Sequence, residues 1–182
     1  ANETIDAART ALLVIDMQNY YVAEGYPAQV PQARTLAPTI NRTGAAVRAA
    51  GARVIWIQTT AAGALEHPGG HHRNILSPES AARRLKALDE TGDGFALWPP
   101  LDVQPTDLRV KKIKYDALLA DSSDLAGVLS AYAIDTLLIA GTKTSVCCES
   151  TARDAAAPGS ARGPRSTILS RSRTIASSGS TA

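Results

Sequence analysis

The chain of 182 residues contains very little cysteine: Cys147 and Cys148 are the only two, and they are adjacent. Neighbouring cysteines cannot join distant segments, because a bond between them would close a strained ring that disulfide geometry disfavours. Two thiols are also too few for a structural zinc site without help from histidine. The sequence therefore argues against a disulfide framework or a zinc knot, and it raises the question of why both thiols stand at one point.

The chain also lacks a strong charge imbalance and long apolar runs. Its net charge of +2 gives no reason to invoke nucleic acid or an anionic membrane as a partner. No apolar run approaches the ~20 residues that span a bilayer. The polar start "ANETIDAART" has no signal-peptide layout. We therefore expect a single domain over residues 1–182 with a cytoplasmic location.

Short aliphatic segments closed by a polar residue or glycine predict buried parallel strands. Three are clear and a fourth is expected, at 11–16, 53–59, 136–141 and 108–113. Helical patterns separate them: residues 33–50 end before Gly51, Ser77 is a predicted N-cap, and 123–133 carries an apolar face that includes Leu125 and Tyr132. Alternating strands and helices predict an α/β protein, a three-layer Rossmann-like fold with a central parallel sheet flanked by helices.

Reactive groups of parallel α/β proteins gather beyond the carboxyl ends of the strands. Asp16, Lys112 and Cys147 stand at such positions. A helix beginning near Ser145 or Val146 would place the Cys147 thiol against unsatisfied N–H groups, which favour thiolate, and a nearby lysine would favour it further. Each residue also has a structural interpretation: a buried small apolar cysteine, a helix-capping aspartate and a lysine in a solvated cluster.

Three separated stretches carry a resemblance to a known family. "ALLVIDMQN" (11–19), "KIKYDAL" (112–118) and "IDTLLIAGTKTSVCCESTARDA" (134–155) follow one another in the family's order. Together they resemble the isochorismatase-like cysteine hydrolases, which include nicotinamidase, N-carbamoylsarcosine amidase and ureidoacrylate amidohydrolase. The resemblance covers roughly residues 8–155 and implies a catalytic set of Asp16, Lys112 and Cys147. It leaves Cys148 to face the core.

The resemblance also implies a mechanism and further site residues. Cys147 would attack a carbonyl through a thioester, with Asp16 moving the proton and Lys112 holding the pair. The oxyanion would be bound by the backbone N–H groups of Lys143 and Cys147, with a cis peptide at Thr142–Lys143. Tyr115 is a predicted substrate contact, with packing at the sheet edge as its alternative.

Asn74 is a second predicted substrate contact, in the loop "HPGGHHRN". The three histidines of the chain, at positions 67, 71 and 72, lie in or beside this loop. Nicotinamidases bind a metal near the pocket, but here the acidic ligand at the expected spacing is absent. We therefore predict a pocket-lining loop and neither a metal nor a cofactor.

Some positions depart from the family pattern. Asp116, Leu118 and Lys143 replace a serine, a phenylalanine and a small residue. Residues 155–182 hold four arginines, no acid, and mostly Ala, Ser, Gly, Pro and Thr, a composition that does not favour a packed helix and strand. The segment is typical of another reading frame or a poorly determined sequence, so no pocket residue is carried over from 156–182.

The resulting prediction is a hydrolase of C–N bonds in a small amide, carbamoyl or ureido compound, with a homodimer or homotetramer as the expected assembly. The alternatives are an isochorismatase-type vinyl-ether hydrolase, whose members generally lack the cysteine, and a non-catalytic binding protein with the same fold.

Overall fold

The computed structural model describes residues 5–63 and 76–157. Within these ranges, four parallel strands form one sheet in the order β3-β2-β1-β4: β1 (Thr10–Ile15), β2 (Arg53–Thr59), β3 (Leu108–Lys112) and β4 (Thr136–Gly141). β2 and β4 have their predicted bounds, whereas β1 and β3 each end one residue before the predicted position. The prediction of a parallel α/β sheet is confirmed.

Helices connect the strands. They are α1 (Asn19–Val22), α2 (Ala37–Ala49), α3 (Pro78–Ala87), α4 (Leu125–Ala131) and α5 (Glu149–Ala156), with 3-10 turns at Ala7–Arg9 and Pro31–Leu36 and a π-helical turn at Thr144–Cys148. Ser77 caps α3 as predicted, since its hydroxyl accepts from the N–H of Ser80 at 3.3 Å. None of the helices within these described ranges is long and apolar enough to cross a membrane.

Two predicted helices differ from the observed ones. The helix predicted over 33–50 begins as a 3-10 turn, and its α-helical part ends at Ala49, just before Ala50 and the left-handed Gly51. The helix predicted over 123–133 is shorter, and Tyr132 does not extend its buried face. Its ring is 38% exposed and stacks under the guanidinium of Arg53, at 3.8 Å from the ring centroid.

The sheet is covered on both faces, because alternate residues along each buried strand point to opposite sides. Leu12, Val14 and Trp56 pack in one cluster with Ile40 and Val47 of α2. On the opposite side of the sheet, the alternate strand residues pack with residues of α4, α5 and the π-helical turn. This second cluster includes Leu13, Ile15, Ile57, Leu125, Ala155, Cys147 and Cys148. The molecule thus has three layers, and both cysteines lie on the α4–α5 side.

Gly141 determines how closely the end of β4 approaches the end of β1. Its φ is +137°, and a Cβ there would lie 2.1 Å from the carbonyl oxygen of Ile15. The following N–H, of Thr142, donates to that same oxygen at 3.0 Å. Only glycine fits this crossing, which brings the turn that carries the cysteines next to the residue after Ile15.

Candidate active site

Asp16 lies directly beyond the end of β1 and is fully buried. Its backbone is left-handed, with φ of +56°, and its N–H donates to the carbonyl of Ile57 at 2.9 Å. Strand alternation would place its side chain on the same face as Val14, but the left-handed turn breaks this alternation. The carboxylate instead contacts Thr59 and Lys112, which lie at the ends of β2 and β3. A strained non-glycine backbone of this kind is frequent at functional sites.

Lys112 is also buried, with 1% of its surface exposed. Its Nζ lies 3.1 Å from Asp16 Oδ2 and donates to Thr59 Oγ1 at 2.7 Å. The neighbouring lysines point elsewhere: Lys111 pairs with Glu90, and Lys114 donates to the carbonyl of Ala120. The solvated-cluster interpretation is therefore wrong for Lys112, whose ammonium is held at the carboxyl edge of the sheet.

Cys147 lies in the π-helical turn that follows β4, and only 3% of it is exposed. The turn begins at Thr144, one or two residues earlier than predicted. As a result the N–H of Cys147 already donates to the carbonyl of Lys143, at 2.9 Å. The thiol is therefore one turn inside the helical segment and does not face its unsatisfied first N–H groups.

The electrostatic environment of Cys147 favours the neutral thiol. Burial is the largest cause that raises its pKa, the charge of Asp16 raises it further, and the charge of Lys112 lowers it. Lys112 favours thiolate as expected, but burial and Asp16 outweigh it and the net direction is upward, so the expected thiolate is not the favoured form. The charges of Asp16 and Lys112 both act on the thiol of Cys147, so the sulfur lies near both groups. The three predicted groups therefore lie together.

Cys148 is buried in the same core cluster as Cys147. It is 6% exposed, and its Sγ donates to the carbonyl of Thr142 at 3.3 Å. Burial, and then the charge of Asp16, raises the pKa of Cys148 to about 12. The prediction that this side chain faces the core is confirmed.

The predicted backbone donors for an oxyanion are not assembled as expected. The peptide between Thr142 and Lys143 is trans, and none of the peptides in residues 5–63 and 76–157 is cis, so the predicted cis bond is wrong. Lys143 reverses the chain through a left-handed conformation, with φ of 56° and ψ of 50°. Its carbonyl accepts from the N–H of Cys147, one of the two proposed donors. An oxyanion hole built from Lys143 and Cys147 stays a prediction.

The other predicted site residues fall into two groups. Tyr115 is partly buried, and burial is the largest cause of its raised pKa. The charge of Arg84 lowers this pKa and that of Cys147 raises it, so the ring lies near the candidate nucleophile. Asn74 and the three histidines, His67, His71 and His72, lie outside the described residues. Within the two described ranges, no group of three or more His, Cys, Asp or Glu side chains could hold a metal ion.

Two residues near these groups were missed in the sequence. Thr59 is 3% exposed and contacts both charged groups, and its only sequence signal was its place at the end of β2. Arg84 of α3 donates to the hydroxyl of Tyr21 at 2.8 Å. Burial, and then the charge of Asp16, raises the pKa of Tyr21, so this pair borders the same cluster. A surface helix such as α3 gives no sequence signal for such a role.

Comparison with known families agrees with the geometry. The model of the isochorismatase domain matches residues 10–161. The three-layer fold with an acid, a lysine and a cysteine at one sheet edge is thus that of an isochorismatase-like protein. The chain belongs to the isochorismatase-like cysteine hydrolase superfamily.

Two individual relatives show how similar the chain is to known members of this superfamily. The chain is 35% identical over 165 residues to the ureidoacrylate amidohydrolase RutB of Methylorubrum extorquens, an alignment that covers 82% of this chain and 64% of that protein. It superposes on the crystal structure of a cysteine hydrolase from Pseudomonas syringae pv. phaseolicola with a TM-score of 0.72 and 28% identity, over 85% of this chain and 68% of the other.

A third likeness shows the fold alone. The N-carbamoylsarcosine amidase of Thermoplasma acidophilum superposes with a TM-score of 0.62 at 21% identity, over 81% of this chain and 75% of that one. The alignment with the amidohydrolase from Methylorubrum extorquens covers 64% of that protein, so this chain spans less than two thirds of its length.

Proposed function

We propose that this protein is a cysteine-dependent hydrolase of C–N bonds in small amide, carbamoyl or ureido compounds. The observation that carries the proposal is the convergence of Asp16, Lys112 and Cys147 beyond the strand ends, with the first two in a buried ion pair at 3.1 Å. The likeness to an amidohydrolase supports the bond type.

The raised pKa of Cys147 determines how the first step would proceed. A neutral thiol beside a carboxylate attacks as its proton leaves, so Asp16 takes the proton while the sulfur bonds to the carbonyl carbon. The tetrahedral intermediate collapses as the C–N bond breaks, and protonated Asp16 gives that proton to the departing nitrogen. Water then attacks the thioester, losing a proton to Asp16, and the acid leaves as the thiol is restored.

Lys112 has a separate role in this scheme. Its ammonium lies 3.1 Å from Asp16 Oδ2 and offsets part of the cost of burying the carboxylate. The ion pair also holds the carboxylate at the strand ends, where it can accept the thiol proton.

The test is hydrolysis of a panel of small amides, carbamoyl compounds and ureides by the wild type, Cys147→Ser and Cys148→Ser. We expect turnover of at least one compound, a loss of about 10³-fold or more in Cys147→Ser, and near wild-type turnover in the matched Cys148→Ser. Full activity of Cys147→Ser on every compound that is hydrolysed would contradict the proposal.

One observation favours a second candidate, a non-catalytic binding protein. The N–H of Cys147 is engaged by Lys143 and the thiol is neutral, as in a resting or inactive site. Selective alkylation of Cys147 over Cys148 by iodoacetamide, together with turnover, would exclude it. A homodimer or homotetramer also remains part of the proposal, and light scattering after size-exclusion chromatography measures it.

A further inference from the structure

We infer that Thr59 is a positioning residue that determines which oxygen of Asp16 accepts the thiol proton. The inference rests on the proposed function and adds to it a residue outside the predicted catalytic set. It starts from the hydroxyl of Thr59, which lies between the two charged groups: 2.7 Å from Lys112 Nζ and 2.8 Å from Asp16 Oδ1.

The direction of these two hydrogen bonds follows from the chemistry of the groups. An ammonium has donors and no acceptor, so Lys112 donates to the hydroxyl oxygen. A carboxylate only accepts, so the proton of the hydroxyl points to Asp16 Oδ1. The three residues are 1%, 3% and 0% exposed, so no bulk water competes for either bond. The hydroxyl of Tyr21 also lies within reach of the Thr59 hydroxyl. A carboxylate is a stronger acceptor than a phenol, so the Thr59 proton points to Asp16.

This orientation makes the two oxygens of Asp16 different. Oδ1 is occupied by the hydroxyl of Thr59. Oδ2 is buried and receives no hydrogen bond; its 3.1 Å contact with Lys112 is an ion pair off the hydrogen-bonding direction. Because Oδ1 already accepts the proton of the Thr59 hydroxyl, Oδ2 keeps a lone pair for the proton of the Cys147 thiol, which lies within hydrogen-bonding reach of Asp16. Oδ2 is thus the oxygen prepared to accept the proton.

The backbone of Thr59 is held as firmly as its side chain. The amide of the buried Gln18 forms two hydrogen bonds with it, accepting from the N–H of Thr59 at 2.7 Å and donating to its carbonyl at 2.9 Å. Its Nε2 also lies 3.0 Å from the carbonyl of Phe95. Because Gln18 follows Asp16 by two residues, one short segment supplies both the carboxylate and the clamp that fixes its partner.

The experiment compares Thr59→Val, which has nearly the same shape and no hydroxyl, with Thr59→Ser, which keeps the hydroxyl. Thr60→Val is the control, since the Thr60 hydroxyl is equally buried but bonds Glu90. We expect Thr59→Val to lower kcat by about 30-fold or more with KM within threefold. Thr59→Ser and Thr60→Val should stay within about threefold of wild type.

A second measurement needs no substrate. The rate of iodoacetamide modification at Cys147, resolved from Cys148 by peptide mapping at pH 8, should fall about fivefold or more in Thr59→Val, and be restored in Thr59→Ser, because the proton acceptor for the thiol is no longer fixed. If Thr59→Val does not fold, Thr59→Ala takes its place with the same expectations.

The outcomes separate this inference from the proposed function. Turnover of Thr59→Val within threefold of wild type, in an enzyme that depends on Cys147, would overturn the role of Thr59 alone. A wild type without Cys147-dependent turnover would overturn the proposed function. Equal rates of Cys147 alkylation in the wild type, Thr59→Val and Thr59→Ser would then overturn the positioning role as well. Equal losses in Thr59→Val and Thr59→Ser, with a fall in Tm, would show a packing role and also overturn it.

Discussion

Two buried carboxylates at opposite ends of the sheet differ in how many hydrogen bonds they accept. Asp107, just before β3, has a side chain 2% exposed and accepts from Arg48, Trp56 and the N–H of Gln104 at 2.7–2.9 Å. Asp16, just after β1, accepts one hydrogen bond and keeps Oδ2 without a donor. The first has every feature of a structural anchor, while the second retains an unused acceptor, as a proton acceptor must.

The pKa of Asp107 follows from this surplus of donors. Burial is the largest single cause and raises it, but the hydrogen bonds from Arg48, Trp56 and Gln104 lower it, and the net direction is downward. A carboxylate stabilised in this way holds its charge and does not exchange protons near neutral pH. The comparison thus distinguishes a charge that holds the fold together from one that is available for chemistry.

The largest expected effect is on turnover in Asp16→Asn. An amide cannot accept the thiol proton, so kcat should fall by about 10³-fold or more. The free energy of unfolding should also drop, by about 3–5 kcal/mol, because the buried ammonium of Lys112 loses its counter-ion. The measurement is kcat per folded molecule, with urea unfolding as the stability readout. Turnover near that of the wild type would remove Asp16 from the mechanism.

The converse change, Asp107→Asn, should affect stability and leave the chemistry intact. It leaves Arg48 and several buried donors poorly matched, so we expect the free energy of unfolding to drop by about 3 kcal/mol with kcat within twofold. Asp102→Asn is the matched control. Asp102 also contacts Arg48 but its side chain is 44% exposed, so its loss should cost under about 1 kcal/mol. Equal losses of stability in Asp107→Asn and Asp102→Asn would show that the buried hydrogen bonds to Asp107 contribute no more than the exposed contacts of Asp102.

A third prediction concerns alkaline pH and the two thiols. Both have a raised pKa in the folded state, so the unfolded chain releases their protons first as the pH passes about 8.5. Stability should therefore fall between about pH 8.5 and pH 10, by up to about 1.4 kcal/mol per pH unit for each thiol. Cys148→Ala should reduce this slope by about half, as followed by urea unfolding across the range. An unchanged slope would mean that Cys148 does not stay protonated in the fold.

The elements of the sheet were predictable because each strand is a short aliphatic run closed by a polar residue or glycine. The positions of Asp16, Lys112 and Cys147 followed from the rule that parallel strands end at one edge. Their contacts with one another did not follow, because the left-handed turn at Asp16 and the crossing at Gly141 depend on three-dimensional approach.

Two errors have the same physical origin. The sequence predicted a thiolate at Cys147 from its place near a helix start and a lysine. In the fold the N–H of Cys147 already donates to Lys143, and burial and the charge of Asp16 outweigh the charge of Lys112. Thr59 was missed because a threonine at a strand end is ordinary until Lys112 and Asp16 are seen beside it. Desolvation and contacts between distant segments cannot be derived from local sequence patterns.

The most direct test of the account is the mass of the protein during turnover of an amide or ureide substrate, followed by peptide mapping. We predict an acyl adduct on the peptide that contains Cys147, lost on treatment with hydroxylamine and absent in Cys147→Ser. Hydrolysis that proceeds with no adduct, or with an adduct on Cys148, would contradict the assignment of Cys147 as the nucleophile.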